Sequence, residues 1–149
     1  MNLMQICTDE VVTVRHGTTI IEAARTMRDK HVGTVIVMSD MQPTRPAGIL
    51  TDRDIVIRAV AFAGQKTLLT VEQAMSPALV VAPASTDVHE ALRVMREKGV
   101  RRLVVTGTDG ELKGIVSFDD LVMLFAEEFT DMAKSIAAGL LREEKKAVS

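Results

Sequence analysis

Apolar and polar positions follow two different spacings along this chain, and each spacing predicts a different element. Ile20, Ala23, Ala24 and Met27 recur at helical intervals, whereas Val35–Met38 is a continuous apolar run typical of a buried strand. Helical and strand patterns alternate in this way through the chain. The alternation predicts an α/β fold.

The whole pattern occurs twice. Shifting the sequence by 68 positions aligns residues 11–37 with residues 79–105, and ten of these 27 positions are identical. Further along, a shift of 66 positions places Gly48–Thr51 over Gly114–Ser117, because two residues are lost from an intervening loop. The chain is therefore an internal duplication, and both copies should adopt one fold.

Each copy predicts the order β-α-β-β-α. We expect one unit over residues 1–66, a second over residues 67–128 and a C-terminal helical extension over residues 129–149. The apolar stripe of that extension is predicted to pack on a partner chain or back on the sheet. The predicted elements of the two copies are strands Val11–Val14 and Leu79–Ala82, helices beginning at Thr18 and Thr86, strands Val35–Met38 and Leu103–Val105, strands Gly48–Leu50 and Gly114–Val116, and closing helices at Asp52–Ala63 and from Phe118 onward.

Composition narrows the possible partners. A formal charge of −2 gives no broad positive field for nucleic acid, and four Phe without Tyr or Trp give no platform for stacking bases. The run from Ile55 to Ala63 is interrupted by Arg58, and a membrane span needs about 20 apolar residues. We therefore expect neither nucleic acid nor a membrane as a partner. The single cysteine, Cys7, indicates a cytoplasmic location.

Each copy carries the pattern Gly-hydrophobic-hydrophobic-Thr/Ser-x-x-Asp where its last strand meets its last helix. With the duplication and the segments Gly48–Arg58 and Val100–Val105, the chain resembles a CBS-domain pair, or Bateman module, over about residues 3–128. The resemblance implies two units packed about a pseudo-twofold axis with two clefts between them. It further implies a homodimer and clefts able to bind AMP, ADP, ATP, NAD or S-adenosylmethionine.

The resemblance also assigns roles within these clefts. Asp54 and Asp120 would accept hydrogen bonds from a ribose diol, and Thr51 and Ser117 would offer hydroxyl and backbone N–H groups to phosphate. An alternative stays open, since Thr/Ser-x-x-Asp at a helix start is also a capping box. The adenine base would lie in an apolar gap near Val12, Val14, Ile20 and Ile49.

The two copies differ where the phosphate would bind. Copy two has Arg101-Arg102 where copy one has Gly33-Thr34, so the cleft of Thr51 and Asp54 would gain guanidinium groups. The alternative is that this arginine pair is a solvated strand end. In copy two, the bulky Phe118 is predicted to narrow the mouth of the other cleft.

These features favour a non-catalytic regulatory module that binds an adenosine nucleotide and signals to an unidentified protein partner in trans. The alternative is a ligand-free dimerising interaction module. No sequence motif predicts an enzyme, and no cofactor is required. His16, His31, His89 and Cys7 share no zinc-ligand spacing, so no metal site is expected.

Overall fold

The computed structural model describes residues 1–62, 69–76 and 78–148 of the chain. The predicted α/β class and the two tandem β-α-β-β-α units are confirmed. The strands are β1 (Thr13–Arg15), β2 (Thr34–Met38), β3 (Pro46–Thr51), β4 (Val81–Pro83), β5 (Arg102–Thr106) and β6 (Leu112–Ser117). The helices are α1 (Ile20–Lys30), α2 (Asp52–Arg58), α3 (Val71–Ala74), α4 (Val88–Lys98) and α5 (Phe118–Val148), with 3₁₀ turns at Leu3–Gln5 and Val60–Phe62.

Each unit contains a three-stranded sheet of the same topology. In unit 1 the central strand β2 pairs in parallel with β1 and antiparallel with β3, and in unit 2 the strand β5 pairs in the same way with β4 and β6. The register is duplicated as well, because Thr34 lies opposite Thr51 and Arg102 lies opposite Ser117. The Thr/Ser of each predicted motif therefore lies beside the residue that begins the central strand.

The first helix of each unit begins one residue later than predicted. Thr19, not Thr18, caps α1: its side chain accepts a hydrogen bond from the backbone N–H of Glu22, whose carboxylate accepts the N–H of Thr19 in return. In unit 2 the cap is Asp87, not Thr86, and its carboxylate accepts a hydrogen bond from the backbone N–H of His89. A side-chain acceptor that reaches the free N–H groups sets each start.

The helix after the first motif is shorter than predicted. The apolar pattern extends from Asp52 to Ala63, but α2 ends at Arg58 and a 3₁₀ turn follows over Val60–Phe62. Residue 63 lies outside the described residues. No Gly or Pro marks this end, so the apolar spacing alone overestimated the length of the helix.

Two short segments cross between the units. Leu3 is fully buried in the core of unit 2, while Val71 and Ala74 are fully buried in the core of unit 1. The crossing segments also pair with strands, since Thr8 bridges to Ile115 and Ser76 bridges to Ile49. The predicted boundary between residues 66 and 67 lies outside the described residues.

Glycine begins both motifs because a crossing segment lies directly against it. A Cβ atom at Gly48 would stand 2.2 Å from the Sδ atom of Met75, and one at Gly114 would stand 2.7 Å from the Sγ atom of Cys7 and from the carbonyl oxygen of Thr8. Cys7 is half-buried against the core of unit 2, and this burial raises the pKa of its thiol.

The last helix is one continuous element from Phe118 to Val148. Leu121 is buried in the core of unit 2, but every described residue from 126 onward is exposed. Among the residues that the structure describes, no helix is both long enough and apolar enough to span a membrane. Residue 149 lies outside the described residues.

Candidate functional site

Both predicted motifs form closed hydrogen-bond rings at a helix start. The backbone N–H and the hydroxyl of Thr51 donate to the same Asp54 oxygen, Oδ2, at 2.9 and 3.0 Å, and the Asp54 N–H donates to the Thr51 hydroxyl oxygen at 3.2 Å. Ser117 and Asp120 repeat the ring at 2.7, 2.7 and 3.1 Å. The capping geometry, which the sequence left as one of two alternatives, is therefore present in both units.

Capping leaves part of each carboxylate available. The two hydrogen bonds that each carboxylate accepts within its ring both end on Oδ2, and within the described part of the chain Oδ1 of Asp54 and of Asp120 accepts no hydrogen bond. A carboxylate has acceptor sites on both oxygens. Oδ1 therefore keeps its capacity to accept a further hydrogen bond while the cap stays intact, so capping and ligand binding do not exclude each other.

A cleft of about 170 Å³ lies between the two units. Unit 1 contributes Ile49, which comes two residues before Thr51. Unit 2 contributes Arg101 and Arg102 at the start of β5. The remaining residues that line the cleft are apolar or small: Ser76, Ala78, Leu79, Val80, Val100 and Val104.

The structure brings only some of the predicted site residues together. Arg101 and Arg102 line the same cleft as Ile49. Val14 and Ile20, the predicted base contacts, are only 8% and 6% exposed and belong to the core of unit 1. The roles of all the predicted ligand contacts, including those of Ser117 and Asp120, stay predictions.

Arg101 is held by two neighbours on α5. Its guanidinium donates to Oδ1 of Asp119 at 2.9 Å and lies over the Phe118 ring, 5.8 Å from the ring centre. The guanidinium of Arg102 makes no hydrogen bond or ion pair with any described residue. One guanidinium at the cleft is therefore committed to a carboxylate, and the other is available.

Phe118 therefore has a contact that sequence reasoning did not identify. Besides the ring contact, its backbone N–H donates to the carbonyl oxygen of Arg101 at 2.8 Å, and the N–H of Asp52 donates in the same way to Gly33 at 3.0 Å. Both units have this backbone hydrogen bond from the first residue of the last helix to the residue before the central strand. Only in unit 2 do an arginine and an aromatic side chain also contact each other there.

Sequence reasoning also missed Asp119 and four residues that line the cleft from the connection between the units: Ser76, Ala78, Leu79 and Val80. Asp119 accepts a hydrogen bond from Arg101 although the two residues lie 18 positions apart in the sequence. At that separation the pattern of charges along the chain does not predict a contact. The crossing of Ser76 to Ile49 brings the connecting segment to the wall of the cleft. The register of the repeat offered one signal, since Val80 aligns with Val12, a predicted cleft residue.

The described residues contain no group of three or more His, Cys, Asp or Glu side chains placed to hold a metal ion. The chemistry available at the cleft is instead that of anion binding and apolar contact, because guanidinium groups bind phosphate by charge-assisted hydrogen bonds and the apolar wall accepts a flat ring. Thr51 and Asp54 are not among the described residues that line this cleft; they follow Ile49, which does line it.

Comparison with known families accounts for this fold and its duplication. The CBS domain model matches residues 3–60 and again residues 71–127. The chain therefore belongs to the CBS domain family and contains two CBS domains.

Individual relatives agree with this assignment. The CBS domain-containing protein YhcV of Bacillus subtilis is 34% identical over 78% of this chain and 79% of its own length. An uncharacterized protein of Methanopyrus kandleri, MK0525, is 29% identical over 80% of this chain, and the match spans 60% of the length of that relative. The solved structure of the CBS domain protein PAE2072 from Pyrobaculum aerophilum, complexed with AMP, is 26% identical and has a TM-score of 0.72; the match covers 80% of this chain and 89% of that one.

Proposed function

We propose that this protein is a non-catalytic regulatory module that binds an adenosine nucleotide in the cleft between its two units. One observation carries the proposal: the cleft places Arg101 and Arg102 of unit 2 beside Ile49, which leads directly into the Thr51–Asp54 motif of unit 1. Positive groups from one unit and a hydroxyl–carboxylate motif from the other are what a phosphorylated nucleoside needs. The AMP bound to the Pyrobaculum relative supports the same ligand class.

Each part of the ligand has a matching group. A phosphate would accept hydrogen bonds from Arg102. It would also accept hydrogen bonds from Arg101 in competition with Asp119, which now accepts from that guanidinium. The ribose diol would donate to Oδ1 of Asp54, and the base would lie against the apolar wall that includes Ile49. AMP, ADP, ATP, NAD and S-adenosylmethionine share the adenosine part of this scheme.

The cleft is small beside a nucleotide. Its volume of about 170 Å³ is below the roughly 300 Å³ at which pockets for drug-sized ligands begin. A whole nucleotide would therefore extend beyond this cleft towards Asp54, and contacts to both units would let it shift one unit against the other. Such a shift would be the signal, transmitted in trans to a protein partner of a cytoplasmic homodimer.

A second candidate function is a ligand-free interaction module. The closed rings of Thr51–Asp54 and Ser117–Asp120 favour it, since both motifs are satisfied as helix caps without any ligand. This candidate and the nucleotide sensor make different predictions for the same variants.

The test is binding of AMP, ADP, ATP, NAD and S-adenosylmethionine to protein freed of co-purified nucleotide. A ligand at a hundred times its dissociation constant should stabilise the fold by about 2.7 kcal/mol, or roughly 5–10 °C in Tm. Asp54→Ala should weaken that ligand by about 10- to 100-fold, because it removes a charged hydrogen-bond acceptor.

Two further variants separate capping from binding. Asp120→Ala removes the same kind of cap from unit 2, at about 1 kcal/mol, and should leave affinity at the Thr51–Asp54 cleft unchanged. Asp54→Asn keeps a side-chain oxygen for the Thr51 donors but loses the charge, so it should retain the fold and still weaken binding. If none of these ligands raises the Tm of the unmodified protein, the nucleotide sensor is overturned and the interaction module becomes the preferred function.

A further inference from the structure

The exposed part of α5 presents a continuous apolar stripe. Phe129, Met132, Ile136 and Leu140 are 57–70% exposed. They follow one another at intervals of three, four and four residues, so they lie on one face of the helix. We refer to these four residues as the α5 stripe.

Within the part of the chain that the structure describes, no element covers the α5 stripe. The helix is anchored at its start, where Leu121 is buried and Leu124 and Phe125 pack against the core of unit 2. Every described residue from 126 to 148 is exposed, a length of about 34 Å at 1.5 Å per residue. A row of large exposed apolar side chains of this kind marks an interaction site.

We propose that the α5 stripe pairs with the α5 stripe of a second copy of this chain, with the two helices antiparallel. From the half-buried Phe125 through Phe129 and Met132 to Ile136 the intervals are four, three and four residues, which is the spacing of a two-helix coiled-coil seam. Leu140 lies one residue beyond the next seam position. Ala133, Ala137 and Gly139 lie beside the stripe and allow close approach of a second backbone. A twofold pairing covers both stripes with one contact.

Charge sets the direction of the pair. Residues 126–136 carry three acidic side chains and one basic one, whereas residues 137–148 carry three basic and two acidic ones. Antiparallel pairing places the net negative half of one helix against the net positive half of the other, while parallel pairing places like charge against like. The antiparallel arrangement also puts the two globular bodies at opposite ends of the pair.

A membrane surface fits the stripe less well. Helices that lie on anionic membranes have a Lys/Arg-rich polar face, but residues 126–148 carry five acidic and four basic side chains. The acidic half of this helix is better matched by a helix that has a basic half. A second copy of the same chain provides such a helix.

This inference rests on the proposed homodimer and names its interface, so the first experiment separates the two. Light scattering on the full chain should give twice the 16.2 kDa mass of one chain. Phe129→Asp combined with Ile136→Asp should raise the dimer dissociation constant by at least about 100-fold, because two anchors per chain are lost. Leu141→Asp is the matched control: it is 59% exposed on the same helix but lies about 120° away from Phe129, and it should stay dimeric.

The outcomes distinguish the two claims. A monomeric unmodified chain would overturn both the homodimer and its interface. A dimer that survives the double substitution, with circular dichroism unchanged, would place the interface elsewhere and overturn this inference alone. Loss of the dimer in the double variant but not in Leu141→Asp is the expected result.

Direction is measured by spin-label distances. In a Cys7→Ser background, Ala147→Cys provides a single labelling site on each chain. Antiparallel pairing centred between Phe129 and Leu140 separates the two labelled backbones by about 38 Å, whereas a parallel pair holds them within roughly 10 Å. A short distance would overturn the antiparallel arrangement.

Discussion

At the scale of single residues, the ion pair between Arg101 and Asp119 would compete with the anion binding that we propose for the cleft. Its guanidinium is paired with Asp119, and both side chains are more than 70% exposed. Exposed ion pairs of this kind contribute about 0–1 kcal/mol. The pair is therefore weak enough for a phosphate to compete with Asp119 for the Arg101 guanidinium.

Asp119→Asn tests this competition. Removing the carboxylate charge should strengthen AMP binding by up to about 5-fold and leave adenosine binding unchanged, because only the phosphate needs Arg101. Titration calorimetry with both ligands measures the difference. Asp29→Asn, which breaks an exposed pair with Arg28 on α1, is the control. An equal gain for adenosine would contradict the competition.

At the scale of elements, reciprocal caps define where the helices start. Glu22 accepts hydrogen bonds from both the backbone N–H and the hydroxyl of Thr19, and these bonds lower the pKa of its carboxyl below the ordinary value of 4.5. A lowered pKa in the folded state means that the ionised carboxylate stabilises the fold. That contribution is complete above pH 4.5 and is lost as pH falls through the folded pKa.

Glu22→Gln should therefore lower Tm at pH 7, with a difference that shrinks below pH 4.5 and disappears in strong acid. Melting curves followed by circular dichroism from pH 7 to pH 3 provide the measurement. In a Thr19→Ala background the pH-dependent part should be smaller, since the hydroxyl donor is gone. A Tm difference that is constant over the whole range would show that Glu22 acts through something other than its charge.

Element type was predictable from spacing, but element ends were not. Ile20, Ala23 and Met27 recur at helical spacing and are all buried on α1. Thr18 and Thr19 are equally good caps by residue type, and only the position of Glu22 three residues later decides between them. The end of α2 at Arg58 had no sequence signal, because its apolar pattern continues without a breaking residue.

The candidate site was likewise predictable only in part. The repeat and its two motifs identified Thr51, Asp54 and the arginine pair, and the cleft does contain Arg101 and Arg102. The partner of Arg101 was not predictable, because the contact with Asp119 depends on how β5 and α5 meet in space. Contacts across a strand–helix corner follow from geometry rather than from local pattern.

At the scale of the whole molecule, the exchange of segments joins the two cores. Leu3 and Val71 occupy equivalent places in the repeat, yet each lies in the core of the other unit. Both cores accept the same apolar residue types, so the sequence pattern could not predict the exchange. Each unit is complete only when the other half of the chain supplies its missing piece.

Leu3→Ala tests this coupling. The side chain is fully buried, so its truncation should cost about 2–5 kcal/mol although it lies far in sequence from the core it fills. Calorimetry should show a single transition moved to lower temperature, with calorimetric and van 't Hoff enthalpies equal. Met4→Ala, at an exposed neighbour, should leave the transition in place. Two separate transitions would show that the units unfold independently.

The exchange also sets an order of events on the ribosome. The segment around Leu3 leaves the exit tunnel long before Val116 and Leu121, which complete the core it enters. At about 5–20 residues per second, this segment waits roughly 6–24 seconds for its binding place. Unit 1 waits only until α3 has emerged, whereas the apolar surface of unit 2 stays exposed until Val116 and Leu121 have emerged. A chaperone that shields apolar surface would therefore bind this chain mainly during translation.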